Sequence, residues 1–399
     1  MRRVIGAVPG VTLVLLAAST APALGAPSRP VESASPPTAY VVSGPPRAGA
    51  LSTVTPVNTS TNKPGTAIKV RNYAAVIAIT PNGRTAYVTS VSNNVHKPAY
   101  VTPINTTTNT AGTAIEVGIY PHAIGVTPNG RTIYVANMYS HTVTPINTAT
   151  NMAGKPIRVP LEPDAVAVTP DGKTAYIVST SGAEAPPFPP GYVTPIRTAT
   201  NTAGKPIKVG IQPYAIVITP NGKTVYVVNQ NDGGRGTVTP ISTATNTAGR
   251  PIGVGQSAFS AAITPNGKTV YVVNSFSGSV TPINTATNKP GKAIKVAASF
   301  ALTIAITPDG KTAYVGGNAS KLPGAVTPIN TATNKPGKAI KTAPEPYAIA
   351  ITPNSATAYI ACTGAPTGAG GVTPIRTATN TARKTISIAG GPDAIAITP

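Results

Sequence analysis

Hydrophobic positions along this chain fall in strand-length runs of four to six residues, rich in Val, Ile, Thr and Tyr and separated by polar links of Thr, Asn, Pro and Gly. The same order of runs returns eight times. A tyrosine run comes first, carrying Tyr40, Tyr87, Tyr134, Tyr176, Tyr226, Tyr271, Tyr314 and Tyr359. A V-T-P-[IV] run follows, with prolines at Pro56, Pro103, Pro145, Pro195, Pro240, Pro282, Pro328 and Pro374. After a polar T-x-T-N link, an alternating run begins at Ile68, Ile115, Ile157, Ile207, Ile252, Ile294, Ile340 and Ile386. The unit closes on an apolar run that ends in T-P, as at Thr219 and Pro220.

Each landmark recurs after about 42 to 50 residues, the period of a β-propeller with several short strands per blade. Runs this short, punctuated by 44 Pro and 38 Gly, exclude helical solenoids. The strands are named a (before T-P), b (tyrosine), c (V-T-P) and d (alternating). The T-P-[ND]-G-[KR] segment predicts a tight a–b hairpin in which Gly accepts a left-handed backbone, with Ser355 as the exception in residue type. Strand a is apolar nearly throughout and is expected to line the axis, as a strand covered on both faces would. Strand d alternates, as in Ile207, Lys208 and Val209, and is expected at the outer edge, where lysines oppose pairing with other chains.

Thr38 opens a strand b and Thr398 follows a strand a. Seven complete blades therefore lie between an orphan b-c-d and an orphan a. Joining the orphans gives an all-β, four-stranded-blade propeller of eight blades, closed by both termini. The alternative is a seven-bladed ring with the orphans displaced.

Residues 1–26 read as a secretory signal peptide: Arg2 and Arg3, an apolar stretch through Leu13, Leu15 and Leu16, then small residues before a cleavage point near Gly25 or Ala26. Residues 27–37 read as a flexible leader and 38–399 as one propeller domain. No second apolar run approaches the roughly 20 residues of a membrane span, so a secreted or cell-surface monomer is expected. The single cysteine, Cys362, has no internal partner and is expected to be a buried, inert thiol.

Y-V-V-N at Tyr226–Asn229 and Tyr271–Asn274, then V-T-P-I-x-T-A-T-N and P-x-A-I-x-[IV]-T-P-[ND]-G-K, resemble the YVTN-repeat β-propeller family of bacterial and archaeal secreted and surface proteins. The resemblance covers Thr38 to Pro399. It implies envelope proteins, alongside propellers similar to lactonases and lyases. The chain departs from the family pattern in carrying Asn58, Asn105, Asn147, Arg197, Ser242, Asn284, Asn330 and Arg376 where Asp is common in strand c, and mostly T-P-N-G in place of S-P-D-G.

That loss of acid leaves a net charge of +21. Because strands alternate in direction, a–b and c–d links share one face of the disc. They carry Arg84, Arg131, Lys173, Lys223, Lys268 and Lys311, together with Lys63, Lys155, Lys205, Arg250, Lys289, Lys292, Lys335, Lys338, Arg383 and Lys384. Against these sixteen bases stand only Asp171 and Asp309, a balance of +14. The other face, with Arg47, Arg71, Lys97, Arg235 and Lys321 against Glu162, Asp164, Glu184, Asp232, Glu345 and Asp393, comes to −1. A basic face attracts polyanions such as wall polymers or acidic polysaccharides. A merely solvated surface accounts for the same charge. Nucleic acid has less support, since Trp is absent and the basic links lack interleaved aromatics.

Catalysis, if present, belongs to the second face. Alignment on T-P puts Ala75, His122, Asp164, Tyr214, Phe259, Leu302, Tyr347 and Asp393 at one level near the axial opening, variable where the surroundings repeat. His122 beside Asp164 on the next blade could form a general base or part of a metal site. Variation at a pore rim is the plainer account. His96 and His141 fall in b–c links. No nucleophile elbow, zinc motif, phosphate loop or dinucleotide fingerprint occurs, and no metal or cofactor is expected. The reading is a non-catalytic binding module for an anionic envelope or extracellular polymer, with a rim hydrolase or lyase and a structural envelope protein as alternatives.

Overall fold

A computed structural model describes residues 36–44, 51–71, 73–91, 97–181, 188–232, 234–319, 322–364 and 370–399. The signal-peptide reading, the leader reading as far as residue 35, His96, Arg47, Glu184 and Lys321 lie outside the described residues. The described chain is all-β: eight antiparallel blades, each ordered a-b-c-d from the inside out. The fourth blade is representative, with a at Pro213–Ile218, b at Thr224–Asn229 and c at Arg235–Ser242, and with the outer strand in two pieces, Thr247–Ala248 and Ile252–Gln256. Among the described residues no helix is long and apolar enough to cross a membrane.

The sequence predicts a single strand d starting at the I-x-V run; the structure adds a two-residue piece before it in every blade. The proline of V-T-P explains the interruption. Pro240 sits mid-strand in c, opposite Tyr226 of strand b, and has no N–H to give the outer neighbour. The outer strand therefore lets go there, and the lone Pro240 carbonyl accepts the Gly249 N–H at 2.7 Å. Pro56, with Gly65, repeats the arrangement.

Eight blades, not seven, form the ring. Strand Pro392–Ile397 pairs with Thr38–Ser43, so the eighth blade takes a from the C-terminus and b, c and d from the N-terminus. The seam is bonded beyond the sheet, with the Thr398 N–H to the Thr38 carbonyl at 3.0 Å and the Thr38 N–H to Thr398 Oγ1 at 2.9 Å. Every inner strand packs against its two neighbours, and Pro392–Ile397 meets Ala74–Ile79 to complete the circle.

The expectation that strand a lines the axis holds, but its physical reason changes. The strand covered on both faces is b, whose eight tyrosines are all buried. Strand a is apolar yet leaves Ile79, Ile263 and Ile306 partly exposed, as residues turned toward an axis rather than a sheet must be. Strand d follows the predicted alternation, with Lys69, Lys208, Lys295 and Lys341 exposed between or beside buried positions.

The two motifs that carry the repeat are one device. Tyr226 donates its hydroxyl to Asn288 Oδ1 of the next blade at 2.6 Å. Asn288 is the Asn of T-A-T-N, held at φ 54°, a left-handed conformation that Asn tolerates better than most residues. All eight tyrosines make this bond, and Tyr359 to Asn62, at 2.6 Å, carries it across the seam. The Asn ending Y-V-V-N is buried and bolts the d–a link: Asn229 accepts the Gly210 N–H at 3.1 Å and donates to Thr239 Oγ1 at 3.0 Å. A Cβ at Gly210 would come within 2.6 Å of Asn229. Cys362 occupies the equivalent place, fully buried as expected, and burial pushes its thiol up to about 12, away from the reactive thiolate form. Ser355 is an exception in type alone. It takes φ 59°, near the 70° of Gly222 and Gly267.

Candidate functional site

The rim residues share a structural origin that the sequence alignment does not reveal. In each blade the a–b ladder slips by one residue near the d–a link, for example between Pro121 and Ala123, where Pro121 faces Asn137 and Ala123 faces Ala136. His122 is thus the extra residue of a β-bulge. Asp164, Tyr214, Phe259, Leu302 and Tyr347 fall at the matching slips, and Asp393 at the slip opposite Val42 and Ser43. Bulges release one residue from the pleat and re-aim its side chain. The fold therefore presents a ring of bulge positions at one end of its axis.

His122 and Asp164 are brought together. The His122 Nδ1 lies 2.5 Å from Asp164 Oδ1 and 3.3 Å from the Asp164 carbonyl oxygen. The Asp164 side chain is 2% exposed and that of His122 14%. Asp164 Oδ1 has no well-aligned hydrogen-bond donor, so the short approach acts chiefly through charge. Burial on its own lowers the His122 pKa, but the charge of the adjacent carboxylate, helped by the contact with the Asp164 backbone carbonyl, outweighs burial and holds it above the ordinary imidazole value. An imidazole anchored through Nδ1 by a buried carboxylate keeps its other nitrogen for a ligand or a proton.

Around this pair the rim is aromatic. Tyr120 stacks with His122, centroids 6.1 Å apart, and contacts Tyr139 at 4.7 Å; Tyr214 and Phe259 are 5.9 Å apart. Burial pushes Tyr214 up to about 12, and it pushes Tyr347 up also, helped by Asp393 and Glu345. Asp393 is raised to about 6 by burial, against the opposing bond from the Gly44 backbone. Glu162 is raised by burial too, with His141 pulling the other way. Alignment found the bulge residues but missed Tyr120 and Tyr139, which lie in links outside the T-P register. The signal was present: all eleven aromatics outside the repeated tyrosine fall in d–a links, in b–c links or at the strand ends beside them. Among the described residues no group of three or more His, Cys, Asp or Glu is gathered as a metal site requires.

The sixteen bases of the a–b turns and c–d links are all exposed. Arg197 and Arg376, at the ends of their c strands beside the same links, are exposed as well and extend the set. Of the two acids there, Asp171 contacts Lys173 at 3.9 Å and Asp309 contacts Lys311 at 3.6 Å. A shallow groove between the fifth and sixth blades is lined by Pro282, Lys292, Lys295, Asn334 and Pro336.

No protein-family model matches the chain, and no curated protein does. Solved structures share the fold. Dihydro-heme d1 dehydrogenase NirN in complex with DHE superposes with a TM-score of 0.70 at 14% identity, over 93% of this chain and 77% of that one. A candidate 6-phosphogluconolactonase of Bacteroides uniformis gives 0.61 at 17%, over 90% and 99%. Hydrazine synthase of Kuenenia stuttgartiensis gives 0.60 at 22%, over 76% and 95%. At these identities the likeness is one of fold.

Proposed function

We propose that the chain is an exported propeller of the YVTN-repeat type that binds an anionic envelope or extracellular polymer through the face formed by its a–b turns and c–d links. The observation that supports this reading is the exposure of all sixteen bases on links of one kind, with Asp171 and Asp309 the only acids among them. Antiparallel blades send those links to one end of the disc, where single-sign charge raises the local concentration of a polyanion. Retention on isolated cell wall, acidic polysaccharide and DNA, measured from about 50 to 200 mM salt, tests it. Several simultaneous anionic contacts predict a loss on the order of a thousandfold across that range. Replacing Lys289, Lys292, Lys335 and Lys338 with Glu should abolish retention. No retention at low salt overturns the reading.

A second reading, hydrolysis or elimination at the rim, is favoured by one observation, the His122–Asp164 contact. Here His122 would act as the base and Asp164 would orient it. Turnover of lactone substrates that His122→Ala removes, and that the four Lys→Glu changes leave intact, would establish it.

A further inference from the structure

We propose that the axial opening on the d–a and b–c face is a second binding site, for a neutral saccharide, whose apolar ring faces lie on Tyr139, Tyr120 and Tyr214 and whose hydroxyls bond to the rim carboxyls and His122. The first support is the segregation of aromatics. Repetition fixes eight tyrosines in the core, and every one of the other eleven aromatic residues is at this end of the molecule. Chance placement over four kinds of link would not empty the opposite face. The second is arrangement. Tyr139, 45% exposed, continues through Tyr120 to the bulge residue His122 as a row of rings at 4.7 and 6.1 Å, tilted by only 30° and 20°. Tyr214 and Phe259 form a further pair two blades on. Rings exposed at Tyr139 and half-buried at Tyr120 and Tyr214, edged by polar groups, suit a ligand with an apolar face and a wet perimeter.

Charge decides the ligand class. An aromatic rim with carboxylates also suits a quaternary ammonium ion, but a cation needs unpaired negative charge. Asp164 is already spent on His122, Glu345 accepts the Thr363 hydroxyl, and the links of this face carry five bases against six acids, so their charges nearly cancel. Groups that both donate and accept, with little net field, match sugar hydroxyls better than a cation. The polyanion of the other face is equally ill-suited, because no Lys or Arg occupies a bulge position.

Calorimetric titration of the purified mature protein with neutral gluco-, xylo-, manno- and N-acetylglucosamine hexasaccharides, up to about 10 mM, tests the site. Binding of at least one, unchanged between about 50 and 200 mM salt, is expected. Tyr139→Ala, at an exposed position that folding does not need, should weaken it on the order of tenfold, while Tyr139→Phe keeps the ring and should stay within about twofold. No binding by any member of the panel, binding that Tyr139→Ala leaves intact, binding that collapses with salt, or binding of choline in place of the sugars overturns the proposal.

Discussion

Charge states at the rim are set either by burial or by a single neighbouring charge, and this makes them testable one at a time. Asp393 titrates at about 6 in the folded chain against an ordinary 3.8. A carboxyl raised in the folded state contributes its stability fully below about pH 4 and loses it as pH rises through about 6. Asp393→Asn removes that loss. The variant should gain about 1–2 kcal/mol on the parent between pH 4 and pH 7, the full linkage being trimmed because Asp393 is partly exposed. Guanidinium unfolding at the two pH values measures it. For His122 the deciding neighbour is Asp164. Asp164→Asn removes the charge that outweighs burial, so the His122 midpoint, read from its ring proton by NMR, should fall from above 6.5 to below it. These shifts were not legible in the sequence. His122 and Asp164 could be aligned to one level, but only the bulge and the packing of adjacent blades determine that their atoms meet.

At the scale of the element, the links explain how the chain became basic at little structural cost. In the a–b turn, Asn82 Oδ1 accepts the Arg84 N–H at 3.0 Å and the Thr80 hydroxyl at 2.7 Å. Asp171 makes the same two bonds, at 3.0 and 2.6 Å. In the c–d link, Asn58 Oδ1 accepts the N–H groups of Ser60 and Thr61, both at 3.0 Å, work that an Asp oxygen does equally well. The turn is indifferent to the charge of its Asx residue, so charge varies without altering the blade. Replacing Asn82, Asn129, Asn221 and Asn266 together with Asp should leave the melting temperature within a few degrees of the parent, while retention on a polyanion falls at least tenfold. The same indifference accounts for what could be read early. Turn type, strand order and edge position follow from local residue chemistry, whereas the break in strand d needed the pairing partners of Pro240 to be seen.

For the molecule as a whole, stability rests on closure. Ile395, fully buried in the C-terminal inner strand, packs in one cluster with Ala39, Val41 and Val57 from the other end of the chain and with Tyr359 of the preceding blade. Ile395→Ala should cost about 2–5 kcal/mol, as large-to-small changes in cores do. Because this cluster is where the two ends of the chain are held together, urea unfolding followed by tyrosine fluorescence should lose cooperativity and not merely shift its midpoint. An unchanged slope would place the weak point elsewhere.

The sequence by itself determined the repeat, the blade and the strand order, because each is encoded in short-range chemistry copied along the chain: β-branched runs, Pro and Gly turns, a tyrosine and an asparagine at fixed spacing. An orphan b-c-d and an orphan a made an eighth blade legible as the reading that buries every edge, but only the pairing of Pro392–Ile397 with Thr38–Ser43 decided it against seven. Tertiary structure alone also decided the site. The His122–Asp164 contact, the raised Asp393 and the Tyr139–Tyr120 row join residues on different strands and blades, and distance, burial and ring orientation between blades exist only once the ring has closed.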